Sequence, residues 1–104
     1  MDEFLDGLQP KLRAKVEKWI QKLEEEGPNL PRPFADIVRG KIRELIVDFG
    51  RIHYRFLYFF LSKFIIITHG FIKNTRKTPE GEIKKAKRLM LDFLARYRGG
   101  EFKL

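Results

Sequence analysis

The stretch from Ile42 to Ile72, IRELIVDFG RIHYRFLYFFL SKFIIITHGFI, decides the architecture. It is dense in β-branched and aromatic residues, and it breaks only at Phe49-Gly50 and at Leu61-Ser62-Lys63. Runs of that composition between short turn signals read as strands over Ile42–Val47, Ile52–Phe60 and Phe64–Ile72. The breaks are too short for a crossover, so the strands form an antiparallel meander. Alternation puts His53, Arg55, Leu57 and Phe59 on one face of the second strand and Tyr54, Phe56 and Tyr58 on the other. An arginine among aromatic residues is costly unless its face is wet or its charge is paired. The His53/Arg55 face is therefore expected to meet solvent at that end. A salt bridge from Arg55 to Glu44 or Asp48 is the alternative.

Helical patterns flank this stretch. Leu12, Val16, Trp19, Ile20 and Leu23 recur at helical spacing, with Pro10 suited to the first turn and Gly27-Pro28 as a stop. Upstream, Phe4, Leu5 and Leu8 predict a further short helix and hence an N-terminal helical hairpin. Pro28, Pro31 and Pro33 make residues 28–40 irregular by expectation, tacked to the core by Leu30, Phe34 and Ile37. After the strands, Thr78 suits an N-cap and Pro79 the first helical position. Ile83, Ala86, Met90, Phe93, Leu94 and Tyr97 then form a buried stripe up to Gly99-Gly100. The expected fold is α+β, a single domain over residues 1–104, with helices over one sheet face and the other open or half open.

A chain of 104 residues builds a modest core, which favours a shallow surface site over a deep internal one. It has no cysteine, which excludes disulfides and thiolate chemistry, and its two histidines show no metal-ligand spacing. The net charge of +8 favours polyanionic partners. That charge is concentrated: no acidic residue falls between Asp48 and Glu80, an interval that holds Arg51, Arg55, Lys63, Lys73, Arg76 and Lys77. The start, Met1-Asp2-Glu3-Phe4, lacks an apolar targeting core, and the run from Phe56 to Ile67 is too short to span a bilayer. A cytoplasmic location without a membrane partner is the expectation.

Cations beside an aromatic side chain suit single-stranded RNA, with phosphates on Arg and Lys and a base stacked on Phe71. Cleavage by attack of a 2′-OH on its own 3′ phosphate needs a base, an acid and cations to stabilise the phosphorane-like transition state. It requires neither a metal nor another cofactor. His53, Arg55, His69, Lys73 and Lys77 are the candidates for that chemistry, and Arg51, His53, Phe71 and Arg76 are candidates for holding RNA. A strand histidine is more often structural, and a basic loop is more often only solvated surface.

Several strings recur in a familiar order: Phe4-Leu5-Asp6-Gly7-Leu8, Leu23-Glu24-Glu25-Glu26-Gly27, Arg43-Glu44-Leu45, Tyr54-Arg55-Phe56-Leu57-Tyr58, His69-Gly70-Phe71-Ile72-Lys73 and Lys77-Thr78-Pro79. In these the chain resembles the phage-derived, HigB-like branch of the RelE/ParE toxin superfamily over nearly its whole length. The resemblance implies a RelE-like fold and ribosome-dependent cleavage of messenger RNA. It also implies a cognate antitoxin, usually a helix-turn-helix DNA-binding protein. Carried over residue by residue, it puts Arg55 on the scissile phosphate, Lys77 at the basic position before the last helix, and Lys73 after the His-Gly-Phe string.

The chain departs from that pattern. Ile46 stands where relatives carry an arginine, Asn74 where they carry a second lysine, and Ile83 about where some carry a tyrosine. Relatives also begin with a strand for which Met1, three residues before Phe4, leaves no room. The expectation is either an upstream start or a sheet edge filled by a second copy or by the antitoxin. A non-enzymatic ParE-like poison of a protein target and a decayed RNA- or partner-binding module are the competing readings.

Overall fold

The computed structural model describes residues 9–30, 34–74 and 76–100. Helix α1 spans Pro10–Glu26 and runs into a single 3-10 turn, Gly27–Asn29. Strands β1 (Ala35–Arg39), β2 (Ile42–Phe49), β3 (Ile52–Leu61) and β4 (Phe64–Ile72) follow, and helix α2 spans Glu80–Arg98. The four strands pair in sequence order, each antiparallel to the next. The class is α+β, as expected. Gly50 turns the chain between β2 and β3 at φ +63°, a left-handed conformation that disfavours a side chain.

The strand count differs from the expected three. Ala35–Arg39 lies in the segment expected to be irregular, yet it pairs with β2 from Ala35↔Leu45 to Arg39↔Ile42. The prolines that argued for a loop all precede it, and the strand itself, Ala-Asp-Ile-Val-Arg, contains none. The short helix expected over Phe4–Leu8 lies outside the described residues.

The helices occupy opposite faces of the sheet, not one. Leu12, Val16 and Leu23 of α1 pack with Leu45, Val47, Tyr54, Phe56 and Tyr58 into the larger core. Across the sheet, Ile83 and Ala86 of α2 are buried, and Ala86 packs with Ile42 and Leu57, flanked by Phe71 and Met90. Farther along α2, Phe93 meets Phe59 edge-on at 6.0 Å. A bulge in β4 lets one strand serve both cores. Leu57 pairs with His69 but Tyr58 with Ile67, so Thr68 is the extra residue. Ile65 and Ile67 therefore pack toward α1, while Phe71 packs toward α2.

Thr78 does not cap α2. The residue before the helix is Pro79, whose carbonyl accepts from the Glu82 and Ile83 amides at 3.0 and 3.2 Å. The Thr78 hydroxyl donates instead to Glu44. Arg39 of β1 grips Glu80 with Nη1 and Nη2, which ties the edge strand to the first turn of α2.

Candidate nucleic-acid interface

On the α2 side the strand register lays down three rows. Glu44, Leu57 and His69 lie side by side, as do Ile46, Arg55 and Phe71, and then Asp48 and His53. Leu57 and Phe71, from the first two rows, pack against α2. Beyond its reach, Arg55, His53, Lys73, Asn74 and Arg76 line an open concavity of about 440 Å³. The β4–α2 segment is brought over the sheet end by the Lys73 amide, which donates to the His53 carbonyl at 2.7 Å.

Arg55 is not on a wet face: its side chain is only 12% exposed. The salt-bridge alternative holds, with both acids at once. Its Nη1 donates to Asp48 Oδ1 at 3.1 Å and to the Tyr54 carbonyl at 2.9 Å. Its Nε lies 3.5 Å from Glu44 Oε1, within ion-pair reach. That contact is not a hydrogen bond, and no acceptor among the described residues completes the buried Nε–H. The guanidinium is thus anchored but not saturated.

The two acids differ. Glu44 is buried, and its carboxylate also accepts from Lys73 Nζ at 3.4 Å and from the Thr78 hydroxyl. Asp48 is 52% exposed and takes both Arg55 and His53 Nδ1, the latter at 2.9 Å, on the same oxygen. Partial burial pushes the Asp48 carboxyl up, but its hydrogen bonds with His53 and Arg55 outweigh that and hold it below the ordinary carboxylate range. The sequence offers Glu44 as an alternative partner of Arg55 and as part of the Arg43-Glu44-Leu45 string, with no site role. Its signal is a lone acid in an otherwise apolar strand centre, which a buried cation must balance.

The other candidates scatter. His69 is buried one row inward from the concavity, with Nε2 3.0 Å from Glu82 of α2 and Nδ1 3.1 Å from the Thr68 hydroxyl. Burial pushes its pKa down, and the Glu82 carboxylate only partly restores it. Phe71 stacks on the His69 ring at 5.8 Å and packs on the smaller core. Arg51 sits exposed in the β2–β3 turn. Lys77 lines a second hollow, of about 410 Å³, which shares Lys73 and Arg76 with the first and continues to Glu80 and Ile83. The structure therefore gathers Arg55, His53, Lys73 and Arg76 on one surface, with Lys77 beside it, and places His69, Phe71 and Arg51 elsewhere. Among the described residues no acidic or histidine cluster could hold a metal ion, and no helix is long and apolar enough to cross a membrane.

Residues 3–91 match the family profile described as phage derived protein Gp49-like (DUF891). The chain belongs to that family. The Gp49-like proteins are a family of RelE-like toxins, so the superfamily resemblance stands at that level. No curated protein matches the chain.

Proposed function

We propose that this Gp49-like protein is the toxin of a type II toxin–antitoxin pair, of the HigB-like kind, and that it cuts messenger RNA on the ribosome without a metal. The observation that carries this reading is the anchored, unsaturated Arg55 on a concave cationic surface with Lys73, Arg76 and His53. A phosphate entering there competes with Asp48 for Nη1. Glu44 keeps the guanidinium in place meanwhile, because it is buried and holds Lys73 and Thr78 as well. The 2′-OH then attacks the adjacent phosphorus, its proton passes to a base, and the 5′ oxygen leaves with a proton from an acid. The products are a 2′,3′-cyclic phosphate and a 5′-hydroxyl end. Arg55 and Lys73 stabilise the added charge. His53, exposed at the rim of the concavity, is the proton carrier within reach. His69 stays behind Phe71 and fastens α2 to the sheet.

The partner in this reading is a helix-turn-helix antitoxin whose acidic segment covers the concavity and excludes RNA. A second reading has one observation in its favour. Arg55 is already paired with two carboxylates, which suits a protein-binding poison or module as well as a nuclease. Induction in a bacterial host, followed by mapping of transcript ends, decides between them. We expect growth arrest with new ends inside coding sequences, lost in Arg55→Ala and relieved by the antitoxin. Arrest with intact transcripts would establish the ParE-like reading, and unimpaired growth the decayed module.

A further inference from the structure

Arg55 also lines another groove, whose walls do not include Lys73. This groove, of about 310 Å³, is bounded by Lys15, Trp19, Phe34, Ile46, Asp48 and Arg55. Its aromatic wall is built from two elements. Trp19 of α1 and Phe34, just before β1, stack at 4.7 Å with their planes 22° apart. The wall is fixed in place. The Ile46 amide donates to the Phe34 carbonyl at 2.8 Å, while the Lys15 ammonium reaches the Asp48 carbonyl and clamps α1 over the end of β2. Phe34 remains 37% exposed although Trp19 packs partly against the larger core. A slot with a fixed aromatic wall beside an arginine suits a planar ring that carries its phosphate next door.

We infer that this groove is a nucleobase subsite, in which an unpaired RNA base stacks on the Trp19–Phe34 pair while its phosphate sits on Arg55. The inference rests on the reading of Arg55 as a phosphate ligand and adds to it the place where the base is held. It assigns to Trp19 and Phe34 the stacking expected of Phe71, whose ring is taken up by His69 and the smaller core. Ile46 extends the apolar wall made by Trp19 and Phe34, so the groove takes a base and the Lys73–Arg76 concavity takes the backbone.

Trp19 is the only tryptophan, so its fluorescence reports on this groove alone. The test titrates the full chain at low salt with a short 2′-O-methylated RNA, which cannot be cleaved, and with inorganic polyphosphate. Fluorescence anisotropy of labelled RNA measures binding independently. The expected result is quenching of Trp19 by the RNA and none by polyphosphate, although polyphosphate competes for the same cations. Phe34→Ala should weaken RNA binding roughly tenfold and leave polyphosphate binding unchanged. Phe34→Tyr should restore the RNA affinity, which a merely structural role would not require. RNA binding with no change in Trp19 emission, or equal quenching by polyphosphate, would overturn the subsite and leave the phosphate reading of Arg55 intact. Absence of any RNA binding would overturn both.

Discussion

Phe56 and Arg55 are neighbours on one strand, yet they belong to two differently built faces of one sheet. Under α1, Phe56 is fully buried among apolar side chains, and Leu45, Val47, Tyr54 and Tyr58 surround it in a continuous core. Under α2 only half of the face is apolar. The remainder is a chain of polar and charged side chains running from Thr78 and Lys73 through Glu44 and Arg55 to Asp48 and His53. The first face owes its stability to burial, which is indifferent to ligands. The second holds its charges in an arrangement that an anion can exchange into. A small domain can carry such a surface because the opposite face supplies most of the cohesion.

The largest expected effects test that division directly. Phe56→Ala removes a fully buried aromatic ring and should cost about 3–5 kcal/mol of unfolding free energy. Arg55→Ala, one residue away, should cost only about 1–3 kcal/mol, because Glu44 keeps Lys73 and Thr78. Urea denaturation of both variants gives the comparison. Equal losses would mean that the charged half is as much a core as the apolar one.

The next contrast lies inside the charged half. Glu44→Gln leaves Arg55 and Lys73 without their shared buried anion, and should cost about 3–5 kcal/mol. Asp48→Asn changes an acid that is 52% exposed, and should cost less than about 1 kcal/mol. The same Asp48→Asn change removes the competitor for Arg55, so single-stranded RNA should bind several-fold more tightly. If Asp48→Asn weakened RNA binding instead, Asp48 would be a ligand to the RNA and not a placeholder for its phosphate.

Strands β2, β3 and β4, helices α1 and α2, and the alternation of β3 were legible because β-branched runs, turn residues and the two periodicities are local properties of the chain. β1 was not, because the three prolines nearby masked a five-residue run whose pairing is fixed only by its neighbour β2. The bulge at Thr68 left no local mark either, and without it the positions of Ile65, Ile67 and His69 cannot be reconciled with strict alternation. The basic concavity was legible in outline from the acid-free interval between Asp48 and Glu80. What periodicity could not supply was depth. His69 and Arg55 share a face, yet α2 covers the first and stops short of the second. Trp19 and Phe34 lie in separate segments, one in a helix stripe and one in a supposed loop, so their meeting beside Arg55 is a tertiary event with no sequence signature.

A smaller effect concerns the range of the charges. Binding of single-stranded RNA should weaken linearly on a log–log plot against salt, and each lost phosphate contact should reduce the slope by about 0.7. Lys73→Ala combined with Lys77→Ala should flatten the slope, while Lys63→Ala, in the β3–β4 turn, should leave it unchanged. A flattening by Lys63→Ala equal to that of the double variant would mean that the cations act through net charge, and that the concavity has no special claim on RNA.

The smallest effect lies where the two halves of the α2 face meet. His69 is buried between Thr68 and Glu82, and Lys85 of α2 adds a repelling charge. Burial holds its pKa below the unfolded value of 6.5, so the unfolded chain takes up a proton before the folded one does. That stabilising difference is fully present above pH 6.5 and is lost as the pH falls through the interval between the unfolded and folded values. Unfolding free energy should therefore decline on acidification below that point, well before carboxylates such as Asp48, whose own contribution fades only below about its unfolded 3.8. His69→Asn should remove the decline that begins below pH 6.5 while preserving a polar partner for Glu82. The same variant should leave RNA binding at neutral pH unchanged, because His69 lies behind Phe71 and outside the concavity. A loss of RNA binding in a His69→Asn protein that unfolds normally would return this histidine to the site and make the boundary drawn by α2 the wrong one.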